Sequence, residues 1–135
     1  DNLTVYGTPN YYVQKLFSNN RGTHVLSMLQ ENQPLSGQQG FYGSASLDKP
    51  SGEIILKLVN TGGLAIDRTF TLQTLGRVVS GASLTMLQHS SPNATNTIDN
   101  PRTVVPVDRE ITLKGKKVTV SLPAYSFSVI RIKLK

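Results

Sequence analysis

No cysteine occurs in the chain, so neither a disulfide framework nor a thiolate metal site can be built from it. Histidine is nearly as scarce, and two residues, His24 and His89, are too few for most other protein metal sites. The missing cysteine leaves the compartment open, because a core of this size holds without covalent staples in oxidising and reducing surroundings alike. Tryptophan is absent too, and only 16% of the 135 residues are charged, against 38% hydrophobic. Thr, Ser, Val, Leu and Gly are frequent, a balance that suits short strands and tight turns, and the length predicts one domain with a single core. No apolar run approaches the roughly 20 residues that span a bilayer, so no membrane partner is expected. The polar start Asp1-Asn2-Leu3-Thr4 is not a signal peptide, and any export signal is expected to belong to a longer parent.

A net charge of +6 raises the question of nucleic acid, but the cations are scattered. Lys114, Lys116 and Lys117 around Gly115 are the one tight group, and no aromatic residue is interleaved to stack on bases. The pattern predicts a solvated hairpin tip and no nucleic-acid partner.

Thr8-Pro9 reads as an N-cap followed by a proline at the first helical position, where the missing N–H costs nothing. Tyr12, Val13, Leu16 and Phe17 then share one helical face, and Asn19, Asn20 and Gly22 supply a stop, which predicts one short amphipathic helix over about residues 9–20. From His24 onward the apolar period falls to two. Strands are expected at Val25 to Gln30, Phe41 to Leu47, Glu53 to Asn60, Ile66 to Leu75, Ser83 to Gln88, Ile111 to Lys114, Val118 to Leu122 and Tyr125 to Leu134. Asp48-Lys49-Pro50-Ser51-Gly52 and Thr61-Gly62-Gly63 are turn clusters between them.

Ile54-Ile55-Leu56 with Leu58-Val59 is apolar on both faces and reads as a central strand. Ile66, Phe70 and Leu72 oppose Asp67, Thr69, Thr71 and Gln73, which predicts a half-exposed strand. In the last run the apolar phase shifts after Val129, the mark of a bulge or of a strand buried on both faces. The stretch His89 to Pro106 reads as a long surface loop. Seven or eight short strands imply an all-β fold, a two-layer antiparallel β-sandwich with one short N-terminal helix. Ile54, Leu56, Leu58, Phe70, Leu72, Val120, Leu122, Phe127 and Ile130 are the expected core.

The same residues offer little chemistry. Glycoside hydrolysis needs two carboxyl groups across a cleft, and of the eight acids only Asp108 and Glu110 share a strand face, beside Arg109 and Lys114 with nothing nearby to desolvate either. His89-Ser90-Ser91 lacks a nucleophile elbow, His24 begins a strand, and Gly37, Gly40 and Gly43 lack phosphate-loop spacing. No catalytic, cofactor-binding or metal-ligating residue is therefore assigned. Asn2-Leu3-Thr4 and Asn93-Ala94-Thr95 match the glycosylation acceptor pattern, at a frequency that chance explains. Tyr6, Tyr11, Tyr12, Phe41, Tyr42 and Tyr125 allow either a sugar-stacking platform or ordinary core and interface roles.

Three segments carry a resemblance. They are Thr8-Pro9-Asn10-Tyr11-Tyr12-Val13-Gln14-Lys15-Leu16-Phe17-Ser18, then Ser44-Ala45-Ser46-Leu47-Asp48 with Ile55-Leu56-Lys57-Leu58-Val59-Asn60, and Leu122-Pro123-Ala124-Tyr125-Ser126-Phe127-Ser128-Val129-Ile130-Arg131. Together with the Asn-rich loop from Asn96 to Pro106, they resemble the carboxy-terminal region of the α-L-arabinofuranosidases of glycoside hydrolase family fifty-one.

The resemblance implies a parent whose (β/α)₈ barrel carries two catalytic glutamates, with a jelly-roll sandwich packed on its side. No position here matches those glutamates. It further implies that residues 1–22 are the helix and linker at the end of the barrel, that residues 23–135 are the sandwich, and that Tyr12, Val13, Leu16 and Phe17 face the barrel. The implied parent removes arabinofuranosyl groups from arabinan or arabinoxylan with retention, is periplasmic or secreted with a cytoplasmic alternative, and allows a homo-oligomer. A stand-alone carbohydrate-binding module and an interaction domain without sugar contact remain alternatives.

Overall fold

A computed structural model describes residues 4–73 and 77–135. Helix α1 spans Pro9–Asn19, and strands follow in the order β1 His24–Leu26, β2 Leu29–Gln30, β3 Gln33–Pro34, β4 Phe41–Asp48, β5 Glu53–Asn60, β6 Ile66–Thr71, β7 Val78–Gln88, β8 Val107–Thr112, β9 Lys117–Leu122 and β10 Ser126–Leu134. One antiparallel sheet of six strands runs β1-β4-β5-β10-β7-β8, the ribbon β6-β9 faces it, and β2-β3 is a separate hairpin. The all-β sandwich with one short helix is the architecture expected from the sequence.

The helix starts where the local chemistry places it. Thr8 is extended at the N-cap, its hydroxyl accepts the Tyr11 N–H at 3.1 Å, and Pro9 opens the first turn. Such a cap is worth about 1 kcal/mol. At the other end Asn20 takes a non-helical conformation and its side chain donates to the Leu16 carbonyl at 2.8 Å, satisfying one of the last helical carbonyls.

Strands β5 and β10 lie side by side at the centre, and both are apolar on both faces. Ile54, Leu56 and Leu58 on β5, with Ile130 and Ile132 on β10, point into the space between the layers, where Val118, Val120 and Leu122 of β9 meet them. Ile55, Phe127 and Val129 point the opposite way and form a second apolar cluster with Val13, Leu16 and Val59. The phase shift after Val129 therefore marks a strand buried on both faces: pairing to β5 is regular from Ser126 to Lys133, and the irregularity falls later, between Ile132 and Leu134 against β7.

Other expectations need correction. Among the described residues there are ten strands, because the run from Val25 to Gln30 breaks into β1 and β2 and because Gln33–Pro34 pairs back across a turn at Glu31 and Asn32, both with positive φ. The weak strand expected at Ser83 begins at Val78 and is the longest in the sheet at 11 residues. The run expected to end at Leu75 pairs only to Thr71; Thr74 and Leu75 lie outside the described residues. Phe70 is half-buried at the rim of the core, its ring 6.3 Å from that of Phe41, while the other eight expected core residues are buried.

Two buried asparagines tie loops to this frame. Asn60 ends β5, and its amide nitrogen donates to the carbonyls of Leu64 at 2.8 Å, Leu122 at 3.1 Å and Pro123 at 2.9 Å, while its oxygen accepts the Gly62 N–H at 2.9 Å. One side chain thus fixes the entry to β6 and the β9–β10 turn. Asn96, 2% exposed, donates to the carbonyls of Gly7 at 2.7 Å and Val104 at 2.8 Å and accepts the Val104 N–H at 2.7 Å. The stretch from His89 to Pro106 is therefore a pinned loop with Val104 buried, not a loose surface excursion.

Asn60→Ala is expected to destabilise the domain by about 2–3 kcal/mol, because several carbonyls lose their donor in a site from which water is excluded. Urea unfolding of the 135-residue chain measures it; a loss near zero shows that water replaces the amide.

Candidate interface on the outer sheet face

The four residues that sequence reasoning assigned to an interface all lie on α1, which packs across the outer face of the six-stranded sheet. Val13 and Leu16 rest on the cluster of Ile55, Phe127 and Val129. Phe17 stacks on Phe127 with ring centroids 5.0 Å apart and planes 10° from parallel, yet remains 44% exposed. Tyr12 is half-buried, set edge to face against Tyr11 at 5.3 Å, and Tyr11 itself is 51% exposed. The inner side of the helix is thus occupied by this domain's own sheet, and its outer side presents Tyr11 and the free area of Phe17.

A polar network holds the C-terminal end of the helix. Arg131 leaves β10 on the outer face, donates through Nε and Nη2 to Glu53 at 2.9 and 2.5 Å, and donates through Nη1 to the Asn20 side-chain oxygen at 2.9 Å. Asp48 adds a weaker ion pair with the same guanidinium at 3.9 Å. Sequence reasoning missed this network. The available signal was Arg131 itself, a cation between Ile130 and Ile132 in a strand that otherwise reads as buried, since such a charge needs partners.

Lys57 sets a charge between Ile55 and Val59 on the outer face of β5, with its ammonium 5.1 Å from the centroid of Phe17. Burial pushes its pKa below the ordinary lysine value of 10.5. Between the lowered folded value and 10.5 the unfolded chain binds more protons than the folded one, so stability rises with pH across that window. Below the window the whole cost of carrying the partly desolvated ammonium is present.

Beside the helix, the outer face dips into a cleft of about 340 Å³. Val59, Leu87 and Phe127 form its floor, Pro9 and Val13 of the helix one wall, and His89, Pro92, Ala94 and Val104 of the pinned loop the other. Tyr125, in the left-handed region at φ 50°, closes one end. A second opening of about 580 Å³ lies at the edge of the inter-layer core, between the β2–β3 turn and the end of β6.

The remaining candidates do not converge. Asp108 and Glu110 are exposed on the edge strand β8, where Asp108 accepts the Thr85 hydroxyl at 2.6 Å. His24 bonds to the neighbouring Thr23 hydroxyl, and His89 accepts the Ser91 N–H through Nδ1 at 3.1 Å. Among the described residues, no group of three His, Cys, Asp or Glu side chains could hold a metal ion, and no helix is long and apolar enough to cross a membrane. Of the aromatic residues considered as a platform, Phe41 is buried between the layers, Tyr42 lies over Gly37 on the outer face, Tyr125 borders the cleft, and Tyr6, Tyr11 and Tyr12 gather at the helix. Lys114 and Lys117 are exposed around Gly115 at the β8–β9 turn, and Asn93 of the second acceptor pattern is exposed, whereas Asn2-Leu3 of the first lies outside the described residues.

Fold and surface together define an antiparallel sandwich module with a helix bound to its outer face. The family model of the α-L-arabinofuranosidase C-terminal domain matches residues 1–126, and the chain belongs to that family. It is 32% identical over 127 residues to a probable α-L-arabinofuranosidase A of Aspergillus flavus, covering 94% of this chain and 18% of that protein. It is 30% identical over 129 residues to α-L-arabinofuranosidase 1 of Arabidopsis thaliana, covering 92% of this chain and 18% of that one. Among solved structures it resembles the arabinose-bound α-L-arabinofuranosidase MgGH51, with a TM-score of 0.85 and 30% identity over 100% of this chain and 21% of that chain. The chain thus spans under a fifth of the length of these curated relatives, which carry the domain as part of longer proteins.

Lys57→Met is expected to melt higher than the parent sequence at pH 7, with the difference shrinking as the pH approaches 10.5. A lower melting temperature at pH 7 would show that the contact between the ammonium and the Phe17 ring outweighs the cost of desolvation.

Proposed function

We propose that this domain is the non-catalytic partner of a retaining α-L-arabinofuranosidase barrel in the same parent chain, and that it covers and rigidifies the flank of that barrel through the outer side of α1. The observation that carries the reading is the asymmetry of the helix: Val13 and Leu16 are bound to the sheet, while Tyr11 and the part of Phe17 that Phe127 leaves uncovered stay open. In this reading residues 1–22 are the connection from the barrel and residues 23–135 the sandwich. Tyr12, Val13, Leu16 and Phe17 form a layer between the two bodies, of which Phe17 reaches both.

Arabinan or arabinoxylan then reaches the parent through the barrel, and removal of arabinofuranosyl groups occurs there. Because such polymers lie outside the cell that degrades them, the reading favours a periplasmic or secreted parent. Burial of a large side chain contributes about 1.5–3 kcal/mol, so a few such residues at one junction suffice to decide whether the assembled protein stays folded.

The isolated domain is expected to leave aryl arabinofuranosides intact. Turnover above buffer that disappears in Asp108→Asn or Glu110→Gln would show that the exposed acids had been misread. For the full-length parent, Tyr11→Ser combined with Phe17→Ser is expected to lower the melting temperature more than the same pair does in the isolated domain, with little change in KM. Leu16 is left intact because it packs within the domain. Equal losses in the two proteins would confine these residues to internal packing. Unchanged melting with weaker retention on arabinan would instead favour a carbohydrate-binding module.

A further inference from the structure

We infer that the cleft beside α1 is a docking socket for an apolar segment of the catalytic part of the parent chain, separate from the outer side of the helix; the inference rests on the proposed barrel partnership. The cleft floor is carbon: Val59, Leu87 and Phe127 close it from below, and Ala94 and Pro92 stand at its loop wall. Several of its polar groups are already engaged. The Asn60 amide is bonded to Leu64, Leu122, Pro123 and Gly62, the Ser126 hydroxyl donates to Pro123 at 2.7 Å, and His89 Nδ1 is taken by Ser91. A sugar needs free donors and acceptors around an apolar face, whereas an apolar protein segment needs only shape and dryness. The floor, with Pro92 and Ala94 on the loop wall, fits the second.

The route of the chain supplies the occupant. Asn96 bonds the Gly7 carbonyl to the same loop that walls the cleft, so the segment before Gly7 leaves the domain beside the cleft mouth, with Val5 91% exposed. In the relatives, more than four fifths of the protein lies outside the matched domain, and their C-terminal-domain family places the bulk of it upstream. An upstream body tethered at this point has the cleft at its doorstep.

Backbone hydrogen exchange on the full-length parent and on the 135-residue domain tests the socket. Amides of the cleft, at residues 59–61, 87–91, 93–94 and 125–127, are expected to exchange about tenfold or more slowly in the full-length protein than in the isolated domain. Ala94→Trp, which fills the socket from its loop wall, is expected to abolish that difference and to lower the melting temperature of the full-length protein while leaving that of the isolated domain unchanged. Equal exchange at the cleft in both proteins overturns the socket. If helix amides around Tyr11 and Phe17 still gain protection, the barrel partnership stands and only the socket falls; if neither region gains protection, both fall. Slowing at the cleft in the isolated domain on adding arabinose or arabino-oligosaccharide also overturns it, in favour of a sugar site.

Discussion

Everything in this fold follows from two adjacent strands that bury apolar side chains on both faces. Strands β5 and β10 carry Ile54, Leu56, Leu58, Ile130 and Ile132 on one side and Ile55, Phe127 and Val129 on the other, so both sides of the sheet centre must be kept from water. The β6–β9 ribbon closes one side. Helix α1 closes the other, and it needs anchoring because a helix of 11 residues is marginal by itself. The anchors are a cap at Thr8, the Phe17–Phe127 stack in the last turn and the Asn20–Arg131–Glu53 chain just beyond it. A sandwich in the strict sense has two layers; here the helix supplies a partial third, and the unfinished remainder of that layer is the cleft.

Much of this was legible from residue order. The N-cap pair Thr8-Pro9, the run Ile54–Val59 and the alternation Asp67 to Gln73 rest on local sterics and on periods of 3.6 and 2, which need no knowledge of the partner. The interface residues were legible as a stripe, but not the direction in which the stripe is satisfied. Val13 and Leu16 turn inward because Phe127 and Val129 need cover, and that demand sits more than a hundred residues away. Long-range bonds were invisible for the same reason. Asn60 reads as the last residue of a strand and Asn96 as one of several polar loop residues, since nothing adjacent to either announces the carbonyls of Pro123 or Gly7. The β2–β3 hairpin was missed because its turn puts Glu31 and Asn32 at positive φ, where glycine is the usual signal.

Kinship and physics converge here from different directions. The family match covers nearly the whole chain, and the chain spans under a fifth of the relatives that carry the domain. Physically, the outer face of the domain is a helix packed on the sheet through Val13 and Leu16, next to a cleft floored by Val59, Leu87 and Phe127.

The outermost strand of the large sheet has a consequence of a different kind. An edge strand normally exposes a ladder of unpaired amides that a second chain can zip onto. At β8 the sequence Val107-Asp108-Arg109-Glu110 places three successive charges on that edge, all exposed, and at the opposite edge β1 is only three residues long. Pairing between two copies there would press Asp108 and Glu110 against their counterparts or leave Arg109 without water. The edges thus act as a quarantine, and a molecule that exposes apolar patches on one face can remain solitary in a crowded solution without seeding fibrils from its rims.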